Sequence, residues 1–444
     1  MRAGRYLPRL RHARDAEIVR LAVPALGALV AEPLFLLGDS AIVGRLGTAP
    51  LGGLGVAGTV VQTVVNLSVF LAYGTTAAVA RKLGASDRAG ALRQGIDGIW
   101  FALALGFVLV CVGEPLLPGI VGLFGTSAEV GSYAVTYLRI AFLGLPAMLL
   151  VLAGTGVLRG LQDTRTPLLV SGVASAANVG LNAVLVLGLG WGIAGSAVGT
   201  VLAQAGSAVA YVAVTAAAAR RQHVPLRPTF RGLSGIATAG LGLFVRTASL
   251  RVVLIVAAAV AARTGTATIA AYQVTFTIWS LLALALDSIA IAAQAITGRF
   301  LGAGDTQGTR DATRRMVEWG LAAGVVLGLI VLAVRFVLPY GFTTDPHVRA
   351  LIAASLLVVA CLQPLAGVVF ALDGILIGAG DATYLAVAAV LSTLAFLPPA
   401  GAVLATHAGL SWLWWALGLW ILARLVTLGT RALGDRWLVT GAVR

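Results

Sequence analysis

Glu32 and Asp39 stand seven residues apart in the otherwise apolar run LAVPALGALVAEPLFLLGDSAIVG. At 3.6 residues per turn that is close to two helical turns, so both carboxylates share one helix face. A charge inside an apolar span is costly and needs a partner, water or a job. A carboxylate there can accept a proton or hold a cation, and either cancels its charge. Pro24 and Pro33 in the same run lack a backbone donor and can bend the helix, exposing carbonyls that a protein-lined cavity could use. The plainer reading of Asp39 is that it faces headgroup water or pairs with Arg45.

Asn178 and Asn182 lie one turn apart in AANVGLNAVLVLG. Their amides offer donors and acceptors to a carboxylate or a bound cation, or they serve as interhelical hydrogen-bonding glue. With Asp39 and Glu32 they make the candidate cation-coupling set; sodium at Asp39, Asn178 and Asn182 is the alternative to a proton. Further along, Arg246, Arg251, Asp287 and Asp373 interrupt other apolar runs. Pairing Arg246 with Asp373 or Asp287 would offset their burial. A second cavity lined by Asp373, Asp287, Arg246, Gln273 and Gln294 is the sharper reading. Arg139, Asp97, Glu114 and Glu318 sit nearer span ends and read as interfacial.

Other chemistries find no footing. Cys111 and Cys361 are far apart in apolar runs without companions, which argues against a disulfide or a metal site. His12, His223, His347 and His407 fall in loops or tails, away from any intramembrane relay. No GxxxxGK[ST] arrangement supports nucleotide hydrolysis. Neither an enzyme nor a bound cofactor is expected.

The elements that must carry these residues follow from composition. Of 444 residues 59% are hydrophobic and only 11% charged, against about 25% charged in soluble domains. Twelve apolar stretches are long enough to span a bilayer: 18–43, 52–79, 94–120, 132–156, 167–187, 192–218, 234–261, 268–297, 315–340, 350–375, 384–405 and 411–430. The net charge of +14 sits mostly in alternate short loops, where arginine acts as an orientation signal rather than a nucleic-acid footprint. Those loops carry Arg81, Lys82, Arg88 and Arg93; Arg159 and Arg165; Arg220, Arg221, Arg227 and Arg231; and Arg299, Arg310, Arg314 and Arg315. The opposite loops are poor in positive charge, with Arg45, Arg263 and Arg349 as exceptions. Both termini are therefore expected in the cytoplasm, and the N-terminal run is too long for a cleaved signal peptide.

A repeat organises the chain. Shifted by 218 residues, 46–87 aligns without a gap to 264–305, with identity at 12 of 42 positions. The same shift lays Gly160 on Gly378 and Asp163 on Asp381. It also lays Asp39 on Ala257, Asn178 on Phe396 and Asn182 on Ala400, so the acid and amide set belongs to the first half alone. Gly84, Gly302, Gly160 and Gly378 read as loop-boundary glycines with positive φ, and Asp87, Asp305, Asp163 and Asp381 as helix caps or partners of loop arginines. AGSAVGT reads as a small face for helix packing. The expected fold is an all-α polytopic membrane protein, with twelve transmembrane helices in two parallel six-helix pseudo-symmetric bundles. Its parts are an N-terminal tail 1–16, an N-lobe 17–218, a linker 219–233, a C-lobe 234–433 and a C-terminal tail 434–444. Such an architecture suits a carrier that rocks one half against the other.

Pro24 with EPLFLLGDSAIVGRLGTAPLGGLGVAG, then GVLRGLQDTRTPL, ANVGLNAVLVLGLGWGIAGSAVGT and ALDGILIGAGD, resembles the multidrug and toxic compound extrusion family, and its DinF-like branch in particular. The resemblance covers essentially the whole chain. It implies antiport of amphipathic organic cations, drugs or toxic metabolites for protons, less readily for sodium, by a monomer in a bacterial or archaeal plasma membrane. It places Pro24 and Asp39 in the coupling site of the first half. An acidic position on the family's fifth helix corresponds to Asn182, a departure. Asp373 is similar to a tenth-helix acid of sodium-coupled members, whereas Arg246 occupies the neighbourhood of their seventh-helix acid. A lipid-linked precursor flippase of the same superfamily is the rival reading, resting on Arg246, Arg251 and Arg139. A channel would not need two repeated bundles.

Overall fold

The structure is a computed structural model describing residues 3–406 and 408–443, with side chains for all of these except residues 3–13 and Arg231. Arg2, His407, Arg444 and the side chains of Arg5, Arg9, Arg11, His12 and Arg231 lie outside the described set. Fifteen α-helices and no strand occur among the described residues. In chain order they are α1 (Ala3–Val43), α2 (Thr48–Leu67), α3 (Phe70–Gly84), α4 (Arg88–Gly113), α5 (Leu117–Gly122), α6 (Ala128–Leu143), α7 (Leu145–Gly160), α8 (Arg165–Asn182), α9 (Gly192–Arg221), α10 (Phe230–Thr264), α11 (Thr266–Gly302), α12 (Thr306–Val334), α13 (Pro346–Gly378), α14 (Ala382–Thr406) and α15 (Leu410–Leu433).

Eleven helical spans are long and apolar enough to cross a bilayer, and the bent pair α6–α7 brings the number to twelve. The stretch expected as a single fourth span breaks at Gly144 with a 52° bend, because Pro146 in the first turn of α7 cannot continue the hydrogen-bond ladder of α6. Apolar composition marks such a span but not its break. Pro24 and Pro33, by contrast, do not interrupt α1.

The chain divides into two compact units, one formed by Pro24–Gly240 and the other by the rest of the described chain. The start of α10 thus belongs with the first-half helices and the start of α1 with the second-half ones. Named contacts explain both. In the first unit Asp97 of α4, 2% exposed, accepts from Thr229 N at 2.7 Å and Thr229 Oγ1 at 2.8 Å, just ahead of α10. In the second, Arg315 of α12 grips Asp15 of α1 at 2.6 and 2.8 Å, and Trp319 Nε1 donates to the same carboxylate at 2.9 Å. Asp97 and Arg315 are related by the 218-residue shift, so one position of the duplicated framework does one task with opposite charge. Asp97, expected as an interfacial charge, is instead a buried anchor.

The duplication is visible inside each unit. Backbone with positive φ recurs at Gly47 and Gly265, Ser86 and Gly304, Gln162 and Gly380, and His223 and Gly441, every pair 218 apart. Positive φ therefore falls two residues after Gly84, Gly302, Gly160 and Gly378, not on them. Gly160 and Gly378 matter instead for close approach. A methyl at Gly160 would lie 2.9 Å from the Thr76 carbonyl oxygen, and Gly378 meets the equivalent carbonyl of Gln294. Asp87 and Asp305 each cap the next helix, accepting from Gly90 N and Gly308 N at 2.7 Å. Asp163 accepts from Arg165 N and Thr166 N, whereas Asp381 pairs with Arg431 at 2.7 Å.

Candidate functional site

Asp39 lies near the end of α1 and is 2% exposed. Asn182 Nδ2 donates to its Oδ1, and Ser196 Oγ of α9 donates to the same oxygen at 2.6 Å. Asn182 also donates to Asn178 Oδ1 at 3.3 Å, and Asn178 Nδ2 donates to Thr200 Oγ1 at 3.2 Å. Tyr137 of α6 reaches Thr200 at 3.4 Å and completes the chain of groups. Both asparagines are fully buried. The helical spacing that put them on one face is carried into a shared site by four elements.

Local structure explains why the amide sits where it does. α8 ends at Asn182 and widens into one π-helical segment, Ala183–Gly188. That wider turn follows directly on the residue touching Asp39, and such turns often accompany functional positions. Gly199 on α9 leaves room for the Asn182 side chain; a methyl there would collide with Asn182 Oδ1. That oxygen is buried without a hydrogen-bond partner.

Ser196, Thr200 and Tyr137 were not among the expected site residues. Ser196 and Thr200 are one turn apart in GSAVGT, which reads equally well as a small packing face. Their i, i+4 hydroxyls facing the two amides were the available signal. Glu32 stays outside the cluster: it is exposed and accepts from Gln62 Nε2 at 3.2 Å, with Asn66 donating to Gln62 in turn.

The second half holds a different arrangement. Arg246 Nε donates to Asp373 Oδ1 at 3.1 Å, its Nη2 binds Asp373 Oδ2, and Arg424 Nη2 reaches Oδ1 at 3.1 Å. All three side chains are 9% exposed. Arg246 thus pairs with Asp373, and Arg424 of α15 is a partner that sequence reading missed, although the rule that intramembrane charges need company applied to it as well. Gln294 is buried, Asp287 is half-buried with an interaction of its own, and Gln273 is exposed. At the positions matching Asp39, Asn178, Asn182 and Ser196 the second half carries Ala257, Phe396, Ala400 and Trp414, all buried. The equivalent space is filled with apolar side chains. Among the described residues no group of three or more His, Cys, Asp or Glu could hold a metal ion.

A model of the MatE family matches residues 24–184 and 237–400, most of the chain and both repeats. The chain belongs to the MatE family. Protein DETOXIFICATION 44, chloroplastic, of Arabidopsis thaliana is 30% identical over 441 residues, covering 95% of this MatE chain and 82% of its own. DNA damage-inducible protein F of Escherichia coli (strain K12) is 27% identical over 427 residues, covering 93% of this chain and 91% of its own. A crystal structure of MATE in the bent conformation superposes with a TM-score of 0.86 at 21% identity, covering 96% of this chain and 95% of that one. At that identity the likeness establishes the fold. As a MatE member the protein is a polytopic membrane secondary transporter and not an enzyme.

Proposed function

We propose that this MatE protein is a DinF-like, proton-coupled exporter of amphipathic organic cations, drugs or toxic metabolites, with Asp39 as the coupling acid. One observation carries the reading. Asp39 is buried, and its hydrogen-bond partners are an amide and hydroxyls, all neutral. A carboxylate so placed carries a charge that nearby dipoles soften but do not cancel, and binding a proton removes it. Ion and substrate then drive transport if they favour different states of the carrier or compete for one. Glu32 at the far end of the α1 face and the prolines Pro24 and Pro33 belong to the same coupling segment in this reading.

The donors favour a proton over sodium. Asn182 turns its nitrogen, not its oxygen, to Asp39, whereas a sodium ion held by Asp39, Asn178 and Asn182 would need amide oxygens. With one acid in the cluster, a single proton is exchanged per cycle. Asp373, tied to two arginines, is structural in this reading, and Gln273, Gln294 and Asp287 are left as cavity residues of the C-lobe. The rival flippase reading loses support, because Arg246 is engaged by Asp373 and Arg139 lies 3.8 Å from Glu114. We place both termini in the cytoplasm and the protein in a bacterial or archaeal plasma membrane, as a monomer. An N-lobe 17–218 and a C-lobe 234–433 alternate access around linker 219–233.

The test is counter-transport of a fluorescent organic cation by purified protein in liposomes, under an imposed proton gradient and then a sodium gradient. Export driven by protons alone is expected. Movement driven only by sodium would overturn the proton assignment, and no movement from folded protein would overturn the substrate class.

A further inference from the structure

Arg335 and Arg349 line one cavity of about 570 Å³ between the end of α12 and the start of α13. Their position is at odds with the charge pattern of the loops. Arg349 is among the arginines on the arginine-poor side of the chain, and the 218-residue shift lays Arg335 and Arg349 on Leu117 and Gly131. The pair is not inherited from the duplicated framework.

Neither arginine has an ion-pair partner among the described residues. Arg335 stacks on its neighbour Phe336 with the guanidinium carbon 4.2 Å from the ring centroid. Arg349 lies 4.2 Å over the Tyr340 ring, and its Nε donates to the Thr343 carbonyl at 2.8 Å. Asp345 caps its own helix through one carboxylate oxygen, accepting from His347 N at 2.8 Å and Val348 N at 3.4 Å, and forms no ion pair with either arginine. Two guanidiniums over aromatic rings thus line the cavity with no ion-pair partner among the described residues. Phe336 and Tyr340 are 63% and 67% exposed, as aromatics at a membrane interface are.

Below this head the cavity wall continues as Ala350, Ala353, Ala354 and Leu357 of α13. Their i, i+3, i+4, i+7 spacing makes one apolar stripe of small side chains running into the span. A paired cationic head, an aromatic collar and a shallow apolar furrow together match an acidic headgroup with an acyl chain.

We propose that the Arg335–Arg349 cavity is a binding site for one anionic phospholipid, its phosphate held by the two guanidiniums and an acyl chain lying along α13. The proposal is independent of the transport reading; only the leaflet depends on the orientation given above, which puts it on the outer side.

Native mass spectrometry of the protein taken from mixed phosphatidylglycerol and phosphatidylcholine vesicles tests it. The wild type is expected to retain one phosphatidylglycerol more than the R335Q/R349Q variant, with retention of that lipid falling about tenfold or more. The R45Q/R263Q variant, which removes two other arginines of the arginine-poor loops, is expected to behave as wild type. If the double variant does not fold, R335Q and R349Q singly are each expected to retain less phosphatidylglycerol than the wild type. Phosphatidylglycerol retention in the Arg335 and Arg349 variants equal to that of the wild type would overturn the proposal. So would equal retention of phosphatidylcholine, which would leave only a greasy furrow, or displacement of the lipid by millimolar inorganic phosphate, which would make this a free-anion site.

Discussion

Asp39 and Asp373 are both buried acids in helices of the same duplicated fold, yet one has neutral partners and the other lies between two arginines. Asp373 sits between Arg246 and Arg424, so its charge is compensated and its removal strands two buried cations. D373N is therefore expected to destabilise the protein by about 3–5 kcal/mol, read as a lowered thermal midpoint in detergent. Asp39 is held by Ser196 and Asn182 without a cation. S196A removes one donor from the carboxylate, a bond worth about 1.5–3 kcal/mol, and is expected to slow proton-driven export by about tenfold while leaving it proton-dependent. Proteoliposome flux at fixed gradient checks this, and S196T is expected to restore most of it. Asp39, Asn178 and Asn182 were legible in the sequence because charge and amides are conspicuous in apolar runs. Ser196 and Thr200 were not, because small hydroxyl residues serve packing and hydrogen bonding alike, and only the tertiary approach of α9 to α8 decides between them.

Helices in each unit are matched by close backbone approaches that small residues permit. A methyl built at Gly156 on α7 would lie 3.0 Å from Ala72 Cα, and one at Gly374 on α13 would lie 2.7 Å from Ala290 Cα, the same contact 218 residues on. G156V and G374V are expected to cost about 1–3 kcal/mol each by overpacking, with similar falls in thermal midpoint. A large effect in one half and none in the other would contradict the structural equivalence. Span number and the repeat could be read from hydropathy and the single offset. The break between α6 and α7 could not, since Pro146 in an apolar run is compatible with a kink, a break or a helix start. The anchoring of α10 by Asp97 and of α1 by Arg315 was also hidden, because it joins residues more than 130 positions apart.

At the level of the whole molecule the two halves share a frame and differ in their polar centres, one an acid with neutral partners and the other an acid held between two arginines. In the proposed reading that asymmetry restricts coupling to the first half. N182D would place a second acid beside Asp39, and it is expected to raise the number of protons moved per substrate above one, measured as the ratio of proton to substrate flux. A cytoplasmic C-terminus is expected to make a C-terminal fluorescent fusion bright in cells, whereas a C-terminal periplasmic reporter would be inactive.

The most direct test of the central claim is the proton flux elicited by substrate in proteoliposomes, recorded with an internal pH dye for wild type and D39N. Substrate is expected to release protons from its binding cycle in wild type, and D39N, still folded and still binding substrate, is expected to show none. Substrate-elicited proton movement that survives in D39N would contradict the account.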